Sequence, residues 1–318
     1  MQTSLQLRRQ VMSLRGIRES VDPRKANGVW VEEEPYGQRV LTVLLTVNEC
    51  PWRCAMCDLW KHTLRRPTLP GDVPRQIELA LAGQSSELNT IKLYNSGSFF
   101  DLKSIPADDY RAIAQLCRPF QRVVVENHPR LCNDRVKEFK DLLQGRLEVA
   151  LGVETLQTGM LRRLNKGMSR DCIDKAVEFL HTAGIDTRAF VMLRPPWTKD
   201  AEGVAWTLLT VRHLARLGVR HTSIIPARAG NGWMDELLRL GEFRPPSLAA
   251  IEATLAAVAS LSQRGIVTFD LWNWPPPQAC PVCAPERKER IEAFNVTQSL
   301  SSPIRCSVCS NDEENPCA

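Results

Sequence analysis

The stretch NECPWRCAMCDLW, residues 48–60, carries Cys50, Cys54 and Cys57 in the spacing C-x3-C-x2-C. A thiolate is both a nucleophile and a soft metal ligand. Three of them in one loop can converge on three corners of a cubane iron–sulfur cluster, which ordinarily takes four cysteines. The fourth iron then stays open, and an open metal position is where chemistry happens. The competing arrangement is a closed zinc site with His62 as its fourth ligand. Two further pairs stand near the C-terminal end, Cys280/Cys283 and Cys306/Cys309, each spaced C-x-x-C. Two such knuckles can converge on a structural zinc ion or hold a second iron–sulfur cluster. A disordered, acidic tail around NDEENPCA is the plain alternative. Cys117, Cys132 and Cys172 stand alone and read as small buried hydrophobes. Cys317 is a spare ligand at most.

These residues need a scaffold, and the apolar periodicity supplies one. The run 39–47, RVLTVLLTV, is too short for a helix and rich in β-branched residues, so it reads as a strand buried on both faces. Similar strands are expected at 90–94, 122–127, 147–153, 186–193 and 221–226. Helical patterns lie between them at 73–83, 107–117, 135–144, 170–184 and 202–218, three of them ending at glycine. Strand–helix alternation implies right-handed βαβ units and a parallel sheet. No G-x-G-x-x-G fingerprint follows a strand, so the expectation is an α/β fold, a partial (β/α)6 TIM-like barrel with a small Cys-rich C-terminal extension. In barrels the chemistry lies beyond the C-terminal ends of the strands. Cys50 follows the first expected strand by three residues, on that face. A helix at 245–265 and a last strand at 266–272 precede the prolines 275–277. The chain divides accordingly into a helical extension (1–39), a core (40–274) and a Cys-rich tail (275–318).

Composition narrows the setting. There are 318 residues, enough for one large domain with an appendage. Eleven cysteines without an export signal point to a reducing cytoplasm rather than a disulfide framework. No apolar run approaches the roughly 20 residues of a membrane span. The net charge of +5 is compatible with a nucleic-acid substrate but contains no K/R-rich block or RNA-binding motif. The amphipathic pattern at 1–20 reads as a packing helix with a basic face, and a tRNA-touching helix is the sharper alternative.

The cysteine motif after the first strand of such a sheet resembles the radical S-adenosylmethionine (SAM) superfamily, over roughly Val40 to Pro226. The resemblance implies a [4Fe–4S] cluster on Cys50, Cys54 and Cys57, with SAM chelating the open iron. It implies reductive cleavage of SAM to methionine and a 5′-deoxyadenosyl radical, with flavodoxin or ferredoxin as reductant. Met56 stands where the superfamily usually has an aromatic residue, and would pack near the adenine edge; Trp52 or Trp60 would exclude water. Asn95, Ser96 and Gly97, in NSGSFFD, stand where a Gly-Gly-Glu-like turn holds the methionine end of SAM, although the usual Glu is absent. A plain serine/glycine turn is the alternative there. Glu154, Arg163 and Lys166 are candidates for the ribose or carboxylate, and Arg194, in MLRPPW, for SAM or substrate. Each of these charges alone could be a surface charge. No residue is assigned a catalytic role.

The set NSGSFFD, ENHPR, GVET…RLNKG and MLRPPW is similar to the group of the archaeosine synthase β subunit and the elongator radical SAM domain. That resemblance implies tRNA nucleoside modification. A small metabolite or a peptide is the alternative substrate. A non-enzymatic zinc or iron–sulfur module is the alternative of another class.

Overall fold

The computed structural model describes residues 4–84, 87–260, 265–272, 274–276 and 279–309. Cys317, the acidic segment 311–318, the third proline of 275–277 and residues 261–264 of the expected helix 245–265 lie outside them. Eight strands form one sheet in sequential order. They are β1 (Gly28–Glu34), β2 (Gln38–Leu45), β3 (Thr90–Asn95), β4 (Arg122–Asn127), β5 (Arg146–Glu154), β6 (Asp186–Leu193), β7 (His221–Pro226) and β8 (Ile266–Phe269). Each neighbouring pair from β2 to β8 is parallel, and only β1 runs antiparallel to its partner. The result is an open, curled sheet of the expected partial-barrel type.

One face of the sheet is apolar. Val43, Leu45, Ile91, Leu93, Val123, Val125, Val149, Leu151, Ala189 and Val191 are all fully buried. They pack against helices α2 (Asp72–Leu81), α3 (Tyr110–Leu116), α4 (Asp134–Leu142) and α6 (Arg170–Thr182) in a single core. The crossover helices thus cover the outside, as parallel strands require. Between β5 and α6 lies the short helix α5 (Thr158–Arg163), and α7 (Asp200–Arg216) connects β6 to β7.

The opposite, inward face is charged. Arg188 on β6 donates to both carboxylate oxygens of Glu34 at 2.6 and 2.9 Å, and to Glu148 at 2.7 Å. Lys92 contacts Glu32 and Glu34, each at 2.6 Å. Arg122 and Arg220 complete the shell of Glu148 at 2.9 and 2.8 Å. Burial alone would raise the Glu34 and Glu148 carboxyls, but the Arg188 guanidinium overrides it and holds both below 4.5.

This network explains β1, which lies inside the segment expected only as a helical extension. Its pattern is inverted: Val29, Trp30 and Val31 are exposed while Glu34 is buried. Apolar alternation therefore gives no inward stripe to read. The same segment also holds the expected amphipathic helix, α1 (Ser4–Ser13). The remaining helices are α8 (Trp233–Arg239), α9 (Leu248–Ala259) and α10 (Ala284–Thr297), the last unforeseen in the tail. None of the described helices is long and apolar enough to cross a membrane.

Removing one partner from a buried ion network leaves the others uncompensated, at a cost of about 3–5 kcal/mol. Arg188→Met should lower the unfolding free energy by that amount in denaturant titrations. The sign of the pH dependence follows from the depressed carboxyls. Their contribution is present above pH 4.5 and is lost as pH falls through their lower folded-state values. The acid unfolding midpoint of Arg188→Met should therefore move to higher pH. An unchanged midpoint and unchanged stability would show that the network is inert.

Candidate active site beyond the strand ends

β2 ends at Leu45, and Cys50, Cys54 and Cys57 lie in the irregular loop that follows. The loop is held by side chains from distant parts of the chain. Asn165 donates to the carbonyls of Trp52 and Arg53 at 2.9 and 3.1 Å. Asn231 donates to those of Ala55 and Cys57 at 2.6 and 3.3 Å. Glu49 is clamped by Arg15 and Arg18, each at 2.5 Å. Trp52 stacks on His128 with centroids 3.8 Å apart and planes 6° from parallel. Gly167 permits that stack: a Cβ there would come within 2.6 Å of Trp52.

The three thiols are near enough to feel one another. Burial pushes the Cys50 thiol up to about 12, and the neighbouring Cys54 adds to the effect. Burial raises Cys54 as well, and burial together with Cys54 raises Cys57. Thiols in this setting stay protonated unless a cation arrives, and a bound metal inverts that preference. Among the described residues, Cys50, Cys54, Cys57 and His62 do not form a tight four-ligand group, whereas the C-terminal quartet does. His62 instead pairs with Glu19 at 3.1 Å. The donor set fits a multi-iron cluster with an open corner better than one closed zinc ion.

Beside the thiols lies a buried ion pair, Lys166 to Glu154 at 3.0 Å. Burial works against the Lys166 charge, but Glu154 and the Cys54 sulfur outweigh it and raise its pKa. Gly152 makes room, since a Cβ there would meet Lys166 Nζ at 3.0 Å. The β5 ladder shifts register between Gly152 and Glu154, which re-aims Glu154. Glu154 (φ 64°), Arg53 (φ 54°) and Asn165 (φ 53°) all adopt left-handed backbone here. Such strain collects where a site over-determines its geometry.

After β3, Asn95 and Ser96 are buried, and the Asn95 amide atoms and Ser96 Oγ have no hydrogen-bond partner. Buried polar atoms without partners are costly, so their presence marks a place for a polar ligand. Gly97 admits no side chain, because a Cβ would sit 2.8 Å from Ser104 Oγ.

The sequence candidates therefore divide. Asn95, Ser96, Gly97, Glu154, Lys166 and the three cysteines lie on the C-terminal side of the sheet. Arg163 instead stacks on Trp197 at 3.4 Å. Met56 packs into an apolar cluster with Val11, Trp233 and Met234. Trp60 is buried beneath Arg15. Arg194 is occupied by Asp200 at 2.8 Å and by the Arg244 carbonyl at 2.9 Å.

Sequence reasoning missed Glu126, His128 and Asn231. Glu126, the penultimate residue of β4, accepts from the Asn95 N–H at 2.9 Å, and burial pushes it up to about 8. Strand alternation could have placed it, since it faces opposite to the core residue Val125. Burial and the Lys166 charge lower His128 to about 3, so it is neutral. Arg130 N donates to its Nδ1, which assigns its proton to Nε2, facing the Lys166 carbonyl.

With this geometry in view, similar proteins can be compared. No family model matches the chain. It is 22% identical over 311 residues to an uncharacterized protein of Methanocaldococcus jannaschii, covering 88% of this chain and 83% of that one. It is 27% identical over 120 residues to the archaeosine synthase subunit beta of Thermococcus kodakarensis, covering 36% of this chain and 37% of that one. Among solved structures, Streptococcus suis SuiB bound to S-adenosylmethionine superposes with a TM-score of 0.50 at 12% identity. That match covers 71% of this chain and 49% of SuiB, so the chain spans about half the length of that structure. The chain resembles the radical SAM superfamily. At this identity the structural likeness concerns the fold alone.

Gly167→Ala tests whether the Trp52 stack shapes the loop. The residue has φ +63° and the new Cβ would meet Trp52 at 2.6 Å. A left-handed alanine costs about 1–2 kcal/mol before that clash. The variant should fold but hold less iron after anaerobic reconstitution. Full iron content with wild-type stability would mean that the stack does not position the thiols.

Proposed function

We propose that this chain is a radical SAM enzyme that binds a [4Fe–4S] cluster and SAM and acts on a nucleoside of tRNA. The observation that carries the first part is the juxtaposition of three half-buried thiols with the Lys166–Glu154 pair, at strand ends that also carry the unpartnered polar atoms of Asn95 and Ser96. Cys50, Cys54 and Cys57 would hold three irons. When bound, the cluster supplies the electron that cleaves SAM, and the radical chemistry is the cofactor's own. The chain's residues bind, orient and exclude water. Asn95 and Ser96 offer hydrogen bonds to the polar end of SAM. Lys166 brings a fixed positive charge beside the thiolates, which favours their ionised form. Trp52, stacked on His128, walls the site from solvent.

The tRNA part rests on the archaeosine synthase subunit beta match and on the site motifs. A reduced flavodoxin or ferredoxin is the electron donor that fits such a site, and a reducing cytoplasm suits its free thiols.

Two measurements test this reading. Cys50→Ala, Cys54→Ala or Cys57→Ala should abolish 5′-deoxyadenosine formation by the reduced, reconstituted protein, at least about a thousandfold, because two ligands cannot retain the cluster. Full turnover in any one of them would end the proposal. Mass spectrometry of tRNA nucleosides from deletion and parent cells should show one modified nucleoside missing and its precursor accumulating. Identical profiles under conditions of expression would redirect the search to a small metabolite or peptide.

A further inference from the structure

Cys280, Cys283, Cys306 and Cys309 lie far along the chain from the first three cysteines, on either side of α10 in the sequence. Cys283 immediately precedes that helix, and the 22 residues between the two pairs (284 to 305) contain it. The spacer exceeds the usual ribbon spacing because it has to accommodate a helix.

The four sulfurs converge. Cys280 Sγ lies 4.0 Å from Cys306 Sγ, and Cys283 Sγ lies 3.6 Å from Cys309 Sγ. All four lie within 4.8 Å of one another. A disulfide needs about 2.05 Å, so neither pair is bonded. One tetrahedral ion with metal–sulfur bonds of about 2.3 Å sets its sulfurs about 3.8 Å apart. The observed distances straddle that value. An iron–sulfur cluster divides the four thiolates among two or four irons and so spreads those on different irons further apart.

The surroundings suit a closed structural site. All four cysteines are buried, packed with Leu248 and bordered by Trp274, Ala279 and Ile304. Arg287 Nε donates to Cys283 Sγ at 3.3 Å. Four thiolates around a divalent ion carry a net negative charge, and a donor of this kind offsets it. Arg287 and Arg290 also hold the returning strand of chain through the carbonyls of Ile304, Ser301 and Ser302. Both arginines pair with Glu252 of α9.

The helix held in this way has its own task. β8 is the last strand of the sheet, and its outer backbone groups need partners. Asn295 of α10 accepts from the Phe269 N–H and donates to its carbonyl, both at 2.8 Å. Gln298 does the same for Val267, both at 2.9 Å. The helix also lies against β1, the other edge strand.

We propose that Cys280, Cys283, Cys306 and Cys309 hold one zinc ion, which clasps α10 over the open β8 edge of the sheet. Zinc is favoured over a lone ferrous ion because divalent zinc binds such sites more tightly.

The test starts with metal analysis of the anaerobically purified full chain. It should contain one zinc per chain, apart from about four irons. The double variant Cys280→Ser, Cys306→Ser should lose the zinc and keep the iron. Its Val267 and Phe269 amides should exchange hydrogen at least about tenfold faster, as local opening becomes easier. Iron lost with the quartet, or zinc retained without it, would overturn the site. Unchanged exchange in a zinc-free variant would overturn the clasp. Should the variant fail to fold, the wild-type chain expressed with cobalt(II) decides the matter. Tetrahedral tetrathiolate absorption supports the site, and its absence refutes it.

Discussion

The loop that carries Cys50, Cys54 and Cys57 has almost no regular backbone hydrogen bonding of its own, so two asparagine amides set its shape. Asn165 reaches the carbonyls of Trp52 and Arg53, and Asn231 those of Ala55 and Cys57. An amide has donors for two carbonyls, and each asparagine uses its donors on two points of the loop. A loop pinned at four carbonyls can present three thiols in one geometry, although the pKa of each is raised and favours its protonated form. Neither asparagine comes from a neighbouring segment. Asn165 follows α5 and Asn231 precedes α8. The thiol geometry therefore exists only once β5, β7 and their following loops are in place.

That dependence gives the charged interior its meaning. A sheet that supports loops from five of its strands has to keep its curvature. Its inward face is too polar for an apolar plug. Arg188 joins Glu34 on β1 to Glu148 on β5, and so ties the first strand to the middle of the sheet. Lys92 draws both Glu32 and Glu34 inward. Charge pairs of this kind add less net stability than apolar packing would. They do impose direction, because a carboxylate fork and a guanidinium fork fit in one orientation. The antiparallel strand is thereby fixed in register, and the opposite end of the barrel is left to the cysteine loop.

How much of this was legible follows from the range of the forces involved. Six of the seven parallel strands, β2 to β7, were readable to within two residues, because a buried parallel strand is a local apolar run: 186–193 is β6 to the residue, whereas β8 stops at Phe269, short of the expected 272. The cysteine loop was readable because ligand spacing is local too. β1 was not, since Glu32 and Glu34 reach inward to Lys92 and Arg188 while its Val29, Trp30 and Val31 are exposed. α10 was not, because its apolar stripe is short and broken by charges. Asn231 sits in an Asn-Gly pair, which announces a turn and nothing more. Its bond to Ala55 spans 176 residues, and no window of sequence contains both ends. Arg163 and Met56 sit at motif positions, and their contacts, Trp197 and the α1 cluster, are long-range ones that no motif displays.

The Lys166–Glu154 pair shows why the site holds together electrostatically. A lysine buried beside a single carboxylate is neutralised and has little field to spare. Lys166, however, also faces the sulfurs of Cys50 and Cys54, which contribute to its raised pKa. Its charge faces both a permanent partner and sulfurs that would become thiolates on binding the proposed cluster. Before ligation, Glu154 keeps the ammonium from being an uncompensated buried charge. On binding of the proposed cluster, the same ammonium would offset part of the thiolate charge without reorganisation, because it is already in place. The bulge at Gly152, the absence of a side chain there and the left-handed backbone of Glu154 all serve to bring one carboxylate to one ammonium. The local strain of β5 is thus the structural cost of a positive charge that stands ready beside the cysteines.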